Sequence, residues 1–310
     1  MKKLLCLLFV FAIILSLSIP VYALDVKESD GDYYDHEETG VTIPYRLIVP
    51  EIYDEKYVFP LVVFFHGAGE RGYDNERQLD NCVQQIADNM PKALILAPQC
   101  THDGQWVDTP WGDGCYSVDA VEESDEMIAV MALIEEIKQQ YSIDEDMVYA
   151  AGISMGGFAV WDAMVRHNDV FAAGVAVCGA GDPSKAEVLK DTPMFVFHGS
   201  DDETVPVSGS TDMVEAIEAA GGTQVHYTEY GGAGHGIWGQ VFNLESLYKE
   251  LKKCRLSDRY TAQPDPEPES EGFDLMAYLP YAAAGVAVIA VAVIIVVLVK
   301  KKGKKSETDQ

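Results

Sequence analysis

The feature that most constrains the fold lies between residues 147 and 164. An apolar segment at 147–150 leads into the pattern Gly152-x-Ser154-x-Gly156, and a helical pattern follows at once. A strand that turns directly into a helix forces the corner residue into a strained backbone conformation, so its neighbours must be nearly free of side chain. The pattern is typical of a turn that holds a serine hydroxyl clear of a parallel sheet. A glycine-rich turn with a bystander serine has the same letters, so a functional serine requires a base, an acid and an oxyanion site elsewhere in the chain.

Apolar segments of the kind that form buried strands recur along the chain, and segments of helical periodicity separate them. The predicted strands are residues 41–49, 61–65, 93–97, 147–150, 175–178, 194–197 and 225–230. The predicted helices are residues 79–87, 124–141, 158–164, 208–220 and 243–253. This alternation predicts the α/β class, with a mostly parallel central sheet and helices on both faces. The acidic residues 24–38 are expected to form a loosely held lead-in.

Both ends of the chain carry segments that are distinct from this domain. Residues 1–23 have the basic start, apolar run and small final residue of a secretory signal peptide. The predicted domain, residues 24–258, is followed by a spacer rich in Pro and Glu at 259–277. Residues 278–299 are apolar and uncharged, which predicts one transmembrane helix, and the basic tail at 300–310 places the C-terminus in the cytoplasm.

These ends predict a single-pass protein of the cell membrane whose domain lies outside the cell. A cell-wall signal processed by a sortase has the same layout. Its cleavage point requires a threonine and a glycine, and both are missing after Leu279-Pro280. A retained membrane helix is therefore the favoured interpretation.

Charge and cysteine content exclude several kinds of partner and site. The chain has 50 acidic and 22 basic residues and a formal net charge of −28, which argues against a nucleic-acid partner because phosphate would be repelled. No pair of C-x-x-C motifs exists for structural zinc, and the acidic loops match no known calcium spacing, so we expect no metal and no cofactor. Cys100 and Cys115 flank one loop and are a candidate disulfide pair.

The groups that would activate Ser154 follow it in the chain. A serine is a weak nucleophile unless a base accepts its proton, and His235, in a glycine-rich loop after a predicted strand, is the candidate base. A carboxylate must then orient that imidazole, and Asp201 or Asp202 follows another predicted strand. The order Ser, Asp, His is the order that a serine-hydrolase sheet of this kind requires.

An oxyanion site needs two backbone N–H groups that point at one position. Met155, directly after the serine, is predicted to supply one of them. The other is expected from the glycine-rich loop at 67–69, with Ala68 favoured over Gly67. His66 is expected to support that loop. Glu70 and Arg71 are expected to pair and fix it, with substrate binding as their alternative role.

Tryptophans are the candidate substrate-binding residues. Trp106 and Trp111 lie in the long loop at 101–119, and Trp238 follows the candidate base. Aromatic faces stack well on sugars and on aromatic acyl groups, whereas ordinary loop packing is the alternative role for each of them.

Five motifs in order give the chain a specific resemblance. They are the residues from Phe65 to Gly72 with Asp74-Asn75, the segment Ala97-Pro98-Gln99-Cys100, the serine turn, the segment from Phe197 to Pro206, and Gly234-His235. Together they resemble the α/β-hydrolase superfamily, and more closely its secreted esterase and "predicted peptidase" group. That group is allied to feruloyl and acetylxylan esterases, polyhydroxybutyrate depolymerases and the prolyl oligopeptidase catalytic domain. The resemblance covers residues 41–253 and implies that the acid is Asp202, which stands a fixed step before Val205-Pro206.

The resemblance and the residues together predict a membrane-anchored serine hydrolase that cleaves carboxylic esters. Its expected substrate is a small ester or an acylated glycan, with acetyl or feruloyl groups, and the reaction would pass through an acyl-enzyme. A serine peptidase of the prolyl oligopeptidase type is the alternative, although a chain of this length leaves no room for a gating propeller. An inactive surface-binding protein on the same fold is a third possibility, and the complete set of candidate residues argues against it.

Overall fold

A computed structural model describes residues 25–259, whose centre is one eight-stranded sheet. The strands are β1 (Gly31–Asp35), β2 (Thr42–Ile48), β3 (Phe59–Phe65), β4 (Leu94–Pro98), β5 (Ile143–Ile153), β6 (Ala173–Val177), β7 (Met194–Gly199) and β8 (Val225–Tyr230). Their order across the sheet is β1-β2-β4-β3-β5-β6-β7-β8. The pairs from β4 to β8 are all parallel, whereas β2 runs antiparallel to both β1 and β4. The predicted mostly parallel sheet is confirmed.

Strand β1 corrects the expectation of a loosely held lead-in at residues 24–38. Gly31–Asp35 pairs antiparallel with β2, in a register that sets Gly31 opposite Arg46. The side chains of this edge strand are largely exposed, so it lacks the apolar pattern on which the prediction of strands depends. Pairing with a neighbour, and not burial, creates this strand.

Helices cover both faces of the sheet, as predicted. They are α1 (Val83–Asn89), α2 (Asp125–Gln140), α3 (Met155–Arg166), α4 (Ser208–Ala219), α5 (Trp238–Val241) and α6 (Glu245–Leu251). Apolar residues of α2, α3 and α4 join one buried core, and those of α1, α5 and α6 join the other.

The central strands contribute side chains to both cores because successive side chains of a strand point to opposite faces of the sheet. In β3, Leu61, Val63 and Phe65 lie in the first core, and Val62 and Phe64 lie in the second. Burial of each such side chain stabilises the fold by about 1.5–3 kcal/mol. A strand without a polar face is stable only between two helical layers, which explains why the run at 61–65 lies at the centre of the sheet.

The parallel arrangement collects the predicted functional loops at one edge. Strands β3, β5, β7 and β8 run in the same direction. The loops after them carry Ala68, Ser154, Asp202 and His235, in that order. Residues far apart in the chain therefore emerge side by side at the carboxyl edge of the sheet, where open α/β folds bind ligands.

The predicted disulfide is wrong for this structure. Cys100 and Cys115 are both free, as are the other cysteines of residues 25–259. Cys100 is fully buried beneath the glycine loop, where its N–H donates to His66, whereas Cys115 packs its Sγ 3.8 Å from the carbonyl oxygen of Gly209. Although Cys100 and Cys115 flank one loop, their sulfur atoms are not bonded to each other.

The predicted terminal segments lie outside the described residues. These are the signal peptide at 1–23, most of the spacer at 259–277, the membrane helix at 278–299 and the tail at 300–310. Within residues 25–259, no helix has both the length and the hydropathy needed to cross a bilayer.

Candidate active site

Ser154 occupies the strained corner that the sequence predicts. It stands between β5 and α3 with φ 53° and ψ −120°, a conformation that costs a non-glycine residue about 1–3 kcal/mol. The flanking glycines permit the close packing of this corner. A Cβ on Gly156 would lie 1.9 Å from the carbonyl oxygen of Phe65, and one on Gly152 would lie 2.2 Å from the carbonyl oxygen of Gly156. Only glycine fits at either position, and the turn therefore holds the serine at the head of α3.

His235 joins Ser154 to a carboxylate. Its Nε2 lies 2.7 Å from Oγ of Ser154, and its Nδ1 lies 2.7 Å from Oδ2 of Asp202. A carboxylate can only accept at Nδ1, so the proton of the neutral ring is on Nδ1 and Nε2 is free to accept the serine proton. The imidazole is partly exposed, while the Asp202 side chain is fully buried. This arrangement can activate the hydroxyl as a nucleophile.

The structure separates the two neighbouring aspartates. Asp202 contacts His235, and its Oδ1 also accepts hydrogen bonds from the backbone N–H groups of Thr204 and Val205, at 2.9 and 3.0 Å. Burial works to raise the pKa of Asp202, but the hydrogen bonds from His235 and from these two N–H groups outweigh it and hold that pKa below its ordinary value. Asp201 is exposed, and among the side chains of residues 25–259 only the Ser200 hydroxyl donates to it. The acid implied by the resemblance, Asp202, is the one that meets the base.

Two backbone N–H groups stand beside the serine. Met155 begins α3, and Ala68 begins a short 3₁₀ turn after β3. Within residues 25–259, neither N–H donates to another protein group. Gly67 brings this loop close to the nucleophile, since a Cβ on it would lie 3.5 Å from the Cβ of Ser154. Both groups are therefore available to donate to an oxyanion formed at Ser154.

His66 supports the glycine loop, as expected. The ring is fully buried; its Nδ1 donates to the carbonyl oxygen of Gly67 at 2.6 Å, and its Nε2 accepts from the N–H of Cys100 at 2.9 Å. Burial lowers the pKa of His66 to about 4, so the ring is neutral in neutral solution. It joins the ends of β3 and β4 and fixes the position of Ala68.

Glu70 and Arg71 fix the same loop without pairing with each other. Glu70 accepts from the Asn81 side chain at 2.7 Å. Arg71 donates to the carbonyl oxygens of Ala68 at 3.1 Å and Gly104 at 3.0 Å. The guanidinium thus ties the oxyanion loop to the long loop after β4.

Trp106 does not meet the expectation of a substrate contact. Its ring is fully buried against Phe65 and His66, and its Nε1 donates to the carbonyl oxygen of His66 at 3.1 Å. The carbonyl oxygen of Trp106 accepts from Ser124, the residue that caps α2. Trp106 therefore anchors the long loop, because an aromatic residue in a loop can serve the core as well as a ligand.

The other two tryptophans are partly exposed beside the triad. The Trp111 ring lies beneath the Arg71 guanidinium, 5.7 Å from its central carbon. It also packs against the small apolar cluster that contains Phe158 and Val205, and these residues follow Ser154 and Asp202 closely in the chain. Trp238 meets the His235 ring edge to face at 5.5 Å. Both positions are compatible with a ligand contact.

Sequence reasoning missed one residue that touches the triad. His198, at the end of β7, is fully buried with its Nε2 3.2 Å from Oδ2 of Asp202. The signal that could have found it is its place directly after a buried strand and four residues before the acid.

A cysteine also approaches the triad from β6. The Sγ of Cys178 lies within 4.8 Å of a ligand atom of Asp202 and of His235. Burial raises the pKa of the Cys178 thiol to about 12, and the nearby Asp202 and His235 are already bonded to each other, with His235 also bonded to Ser154. We assign no metal to this group.

Comparisons with known proteins identify the family of this chain. The family model described as phospholipase/carboxylesterase matches residues 52–255. A bifunctional acetylxylan esterase/xylanase of Neocallimastix patriciarum is 25% identical over 151 residues, which are 47% of this chain and 20% of that protein. The chain thus spans about a fifth of that curated relative.

Solved structures share the fold. The crystal structure of a thermostable esterase is 33% identical with a TM-score of 0.65, over 74% of this chain and 64% of that one. A ferulic acid esterase is 16% identical with a TM-score of 0.56, over 76% and 98% of the two chains. The likeness to the second structure shows the fold alone. With the family model matched across most of the described residues, this chain belongs to the phospholipase/carboxylesterase family of α/β-hydrolases.

Proposed function

We propose that this protein hydrolyses carboxylic esters through an acyl-enzyme on Ser154. The observation that carries the proposal is the unbroken hydrogen-bond chain from Ser154 Oγ through His235 to Asp202, with 2.7 Å at each link. It stands at the carboxyl edge of the sheet beside two unused backbone N–H groups. Geometry of this kind supplies nucleophile, base, orienting acid and oxyanion site together.

In the acylation step, Ser154 Oγ bonds to the ester carbonyl carbon while His235 Nε2 takes the hydroxyl proton. The carbonyl oxygen becomes negative and accepts hydrogen bonds from the N–H groups of Met155 and Ala68. Asp202 stabilises the imidazolium, which carries the transferred proton on Nε2 and its original proton on Nδ1. The intermediate collapses as the bond to the leaving oxygen breaks, and His235 gives the Nε2 proton to the departing alcohol.

Deacylation runs through the same groups in the reverse order. A water molecule replaces the alcohol and gives one proton to His235 Nε2 as its oxygen bonds to the acyl carbon. The second intermediate expels Ser154 Oγ, which recovers the proton from His235. The net reaction consumes one water and releases one alcohol and one carboxylic acid, with the protein unchanged.

An acylated glycan is the substrate that we favour. An open surface depression of about 490 Å³ begins at Arg71, the residue that bonds to the oxyanion loop, and does not include the triad itself. It is lined by Arg71, Gln105, Asp108, Thr109, Pro110 and Trp111. An aromatic face bordered by carboxylate, amide and guanidinium groups suits a sugar ring, which presents C–H groups on its faces and hydroxyls at its rim. The acetylxylan esterase/xylanase relative supports the same substrate class.

The segments predicted at the two ends of the chain support a reaction outside the cell. We propose that residues 1–23 direct export, that 278–299 retain the chain in the cell membrane with residues 300–310 in the cytoplasm, and that the hydrolase acts outside the cell. Extraction by detergent, against release by a muramidase, tests this point. Release by the muramidase alone would favour attachment to the cell wall and contradict a retained membrane helix.

The activity itself is tested with the full chain in detergent. The substrates are p-nitrophenyl acetate, methyl ferulate, acetylated xylo-oligosaccharides and peptidyl amides. We expect turnover of esters, and a loss of about 10⁴-fold or more in kcat for Ser154→Ala. Faster turnover of peptidyl amides than of every ester would instead support a peptidase. If neither class is hydrolysed while Ser154→Ala still binds a glycan as well as the wild type does, a binding protein is supported.

A further inference from the structure

The acid of the triad has a second histidine as neighbour. His198 closes β7, and both its side chain and that of Asp202 are fully buried. The Nε2 of His198 lies 3.2 Å from Oδ2 of Asp202, the same oxygen that contacts His235 Nδ1 at 2.7 Å. One carboxylate oxygen therefore lies between two imidazole rings.

The surroundings of His198 determine which of its nitrogens carries the proton. Its Nε2 lies 3.0 Å from the carbonyl oxygen of Val205, which can only accept, so Nε2 bears a hydrogen. Burial lowers the pKa of His198, and the neutral ring has no second proton. Its Nδ1 is then an acceptor for the hydroxyl of Ser210 on α4 at 2.8 Å. That hydroxyl also lies 3.2 Å from the carbonyl oxygen of Gly179, and its shorter contact is with the ring.

The carboxylate of Asp202 is thus surrounded by N–H donors. Thr204 and Val205 donate to Oδ1 through the backbone, and His235 donates to Oδ2. The Nε2–H of His198 bonds to the Val205 carbonyl oxygen, and the same nitrogen lies 3.2 Å from that Oδ2. Within residues 25–259, no lysine or arginine lies within 4 Å of this carboxylate. Neutral donors alone hold the charge in place.

We propose that His198 is a positioning residue for the reaction: its Nε2–H holds Oδ2 of Asp202 in the orientation that His235 requires. The proposal rests on the proposed function, because it concerns the same triad. Backbone donors restrain only Oδ1; besides His235, the Cys178 thiol lies within 4.8 Å of the carboxylate. Without the His198 contact the carboxylate is freer to rotate about Oδ1. His235 would then lose its fixed partner while Ser154 and the oxyanion loop keep their places.

A purely structural role is the competing explanation. His198 also joins Val205 to Ser210, and a buried histidine with those two partners would stabilise the turn after β7 even if the contact with Asp202 had no consequence. The two roles differ in what they predict for the triad when the fold survives. The decisive variants must therefore separate loss of stability from loss of the donor.

Three variants of the full chain make that separation. His198→Leu removes the donor, and His198→Gln retains an N–H at the end of a side chain of similar reach. Val196→Ala is the matched control, because Val196 is a fully buried residue of the same strand outside the site. For each variant we would measure thermal unfolding, kcat and KM with p-nitrophenyl acetate, and the proton resonance of His235 Nδ1–H without substrate.

We expect His198→Leu to lower kcat by about 10- to 100-fold with little change in KM, which is the range that one hydrogen bond to a charged group supports. The downfield resonance of His235 Nδ1–H should shift or broaden in the same variant. His198→Gln should recover most of both effects, and Val196→Ala should lower the unfolding temperature while the resonance stays in place.

Two results would overturn the proposal. One is a His198→Leu protein with wild-type kcat and an unchanged Nδ1–H resonance. The other is a His198→Gln protein as impaired as His198→Leu, since the donor would then be irrelevant. If the wild type hydrolyses no substrate, the proposed function fails, and the resonance still shows independently whether His198 holds the Asp202–His235 pair.

Discussion

Two corners of the sheet carry the same three residues and use them differently. Phe65-His66-Gly67 ends β3, and Phe197-His198-Gly199 ends β7. Both histidines are fully buried at the edge that holds the triad. His66 bonds to backbone groups, the carbonyl oxygen of Gly67 and the N–H of Cys100, and the Glu70 carboxylate stays 4.0 Å from its Nδ1. His198 lies closer to a carboxylate, with its Nε2 3.2 Å from Oδ2 of Asp202.

The difference shows that the role of a buried histidine depends on the groups that its ring nitrogens contact. The first corner positions backbone N–H groups for the oxyanion, so a ring that joins two main chains is sufficient. The second corner positions a charged side chain, which can rotate unless donors restrain both oxygens. The glycines diverge in the same way. A Cβ on Gly67 would lie 3.5 Å from the Ser154 Cβ, an ordinary contact, whereas one on Gly199 would lie 2.4 Å from the carbonyl oxygens of Ala233 and Gly234.

The largest effect is expected from a substitution that removes the negative charge of Asp202 at the second corner. Asp202→Asn should lower kcat by about 10⁴-fold, because an amide can stabilise the wrong tautomer of His235 and cannot stabilise its positive form. Steady-state kinetics on p-nitrophenyl acetate measures the loss, with Asp201→Asn as the neighbouring control. A comparable loss in Asp201→Asn, or less than a tenfold loss in Asp202→Asn, would contradict the assignment of the acid.

The next prediction compares alanine substitutions at the two glycines. Gly199→Ala should push the loop that carries His235 away from β7 and lower kcat/KM by about 10²-fold, the cost of a displacement near 1 Å. Gly67→Ala, with its nearest contact at 3.1 Å from the Glu70 carboxylate, should lose less than about tenfold. Equal losses in the two variants would mean that the close approach at Gly199 has no special part in the position of His235.

The last expected effect is on stability, not on activity, and it belongs to the first corner. Unfolding raises the pKa of His66 from about 4 towards 6.5, so the unfolded chain binds a proton that the folded chain does not. Stability from this group is complete above pH 6.5 and is lost as the pH falls from 6.5 to about 4, by about 3 kcal/mol in total. The Asp202 carboxyl, with its pKa held below 3.8, contributes its own loss only at still lower pH.

Urea unfolding of wild type and His66→Gln at several pH values between 7 and 4 measures that loss. The amide side chain does not titrate, so the variant should have the flatter dependence on pH, whatever its absolute stability. Parallel dependences in the two proteins would show that His66 does not carry the effect.

Local physics explains what could be predicted along the chain. The glycines around Ser154 follow from the steric demands of one turn, and Ser124 caps α2 by accepting from the N–H of Met127, as its position before an apolar periodic segment predicts. Long-range contacts explain the failures. Strand β1 exists through its pairing with β2, and Trp106 is buried because His66 offers it an acceptor from another strand end.

By itself, the sequence determined the order of strands β2 to β8 along the chain, the strained turn at Ser154 and the order of nucleophile, acid and base. These features depend on the spacing of residues along the chain and on backbone sterics, both of which are determined by residues close together in the sequence. Only the tertiary structure decided that Cys100 and Cys115 stay apart and that His66 and His198 have different partners. It also brings Asp202, which the resemblance implies, into contact with His235. Side-chain contacts across a sheet edge depend on which strands lie side by side. No local pattern in the chain encodes how close two such side chains come.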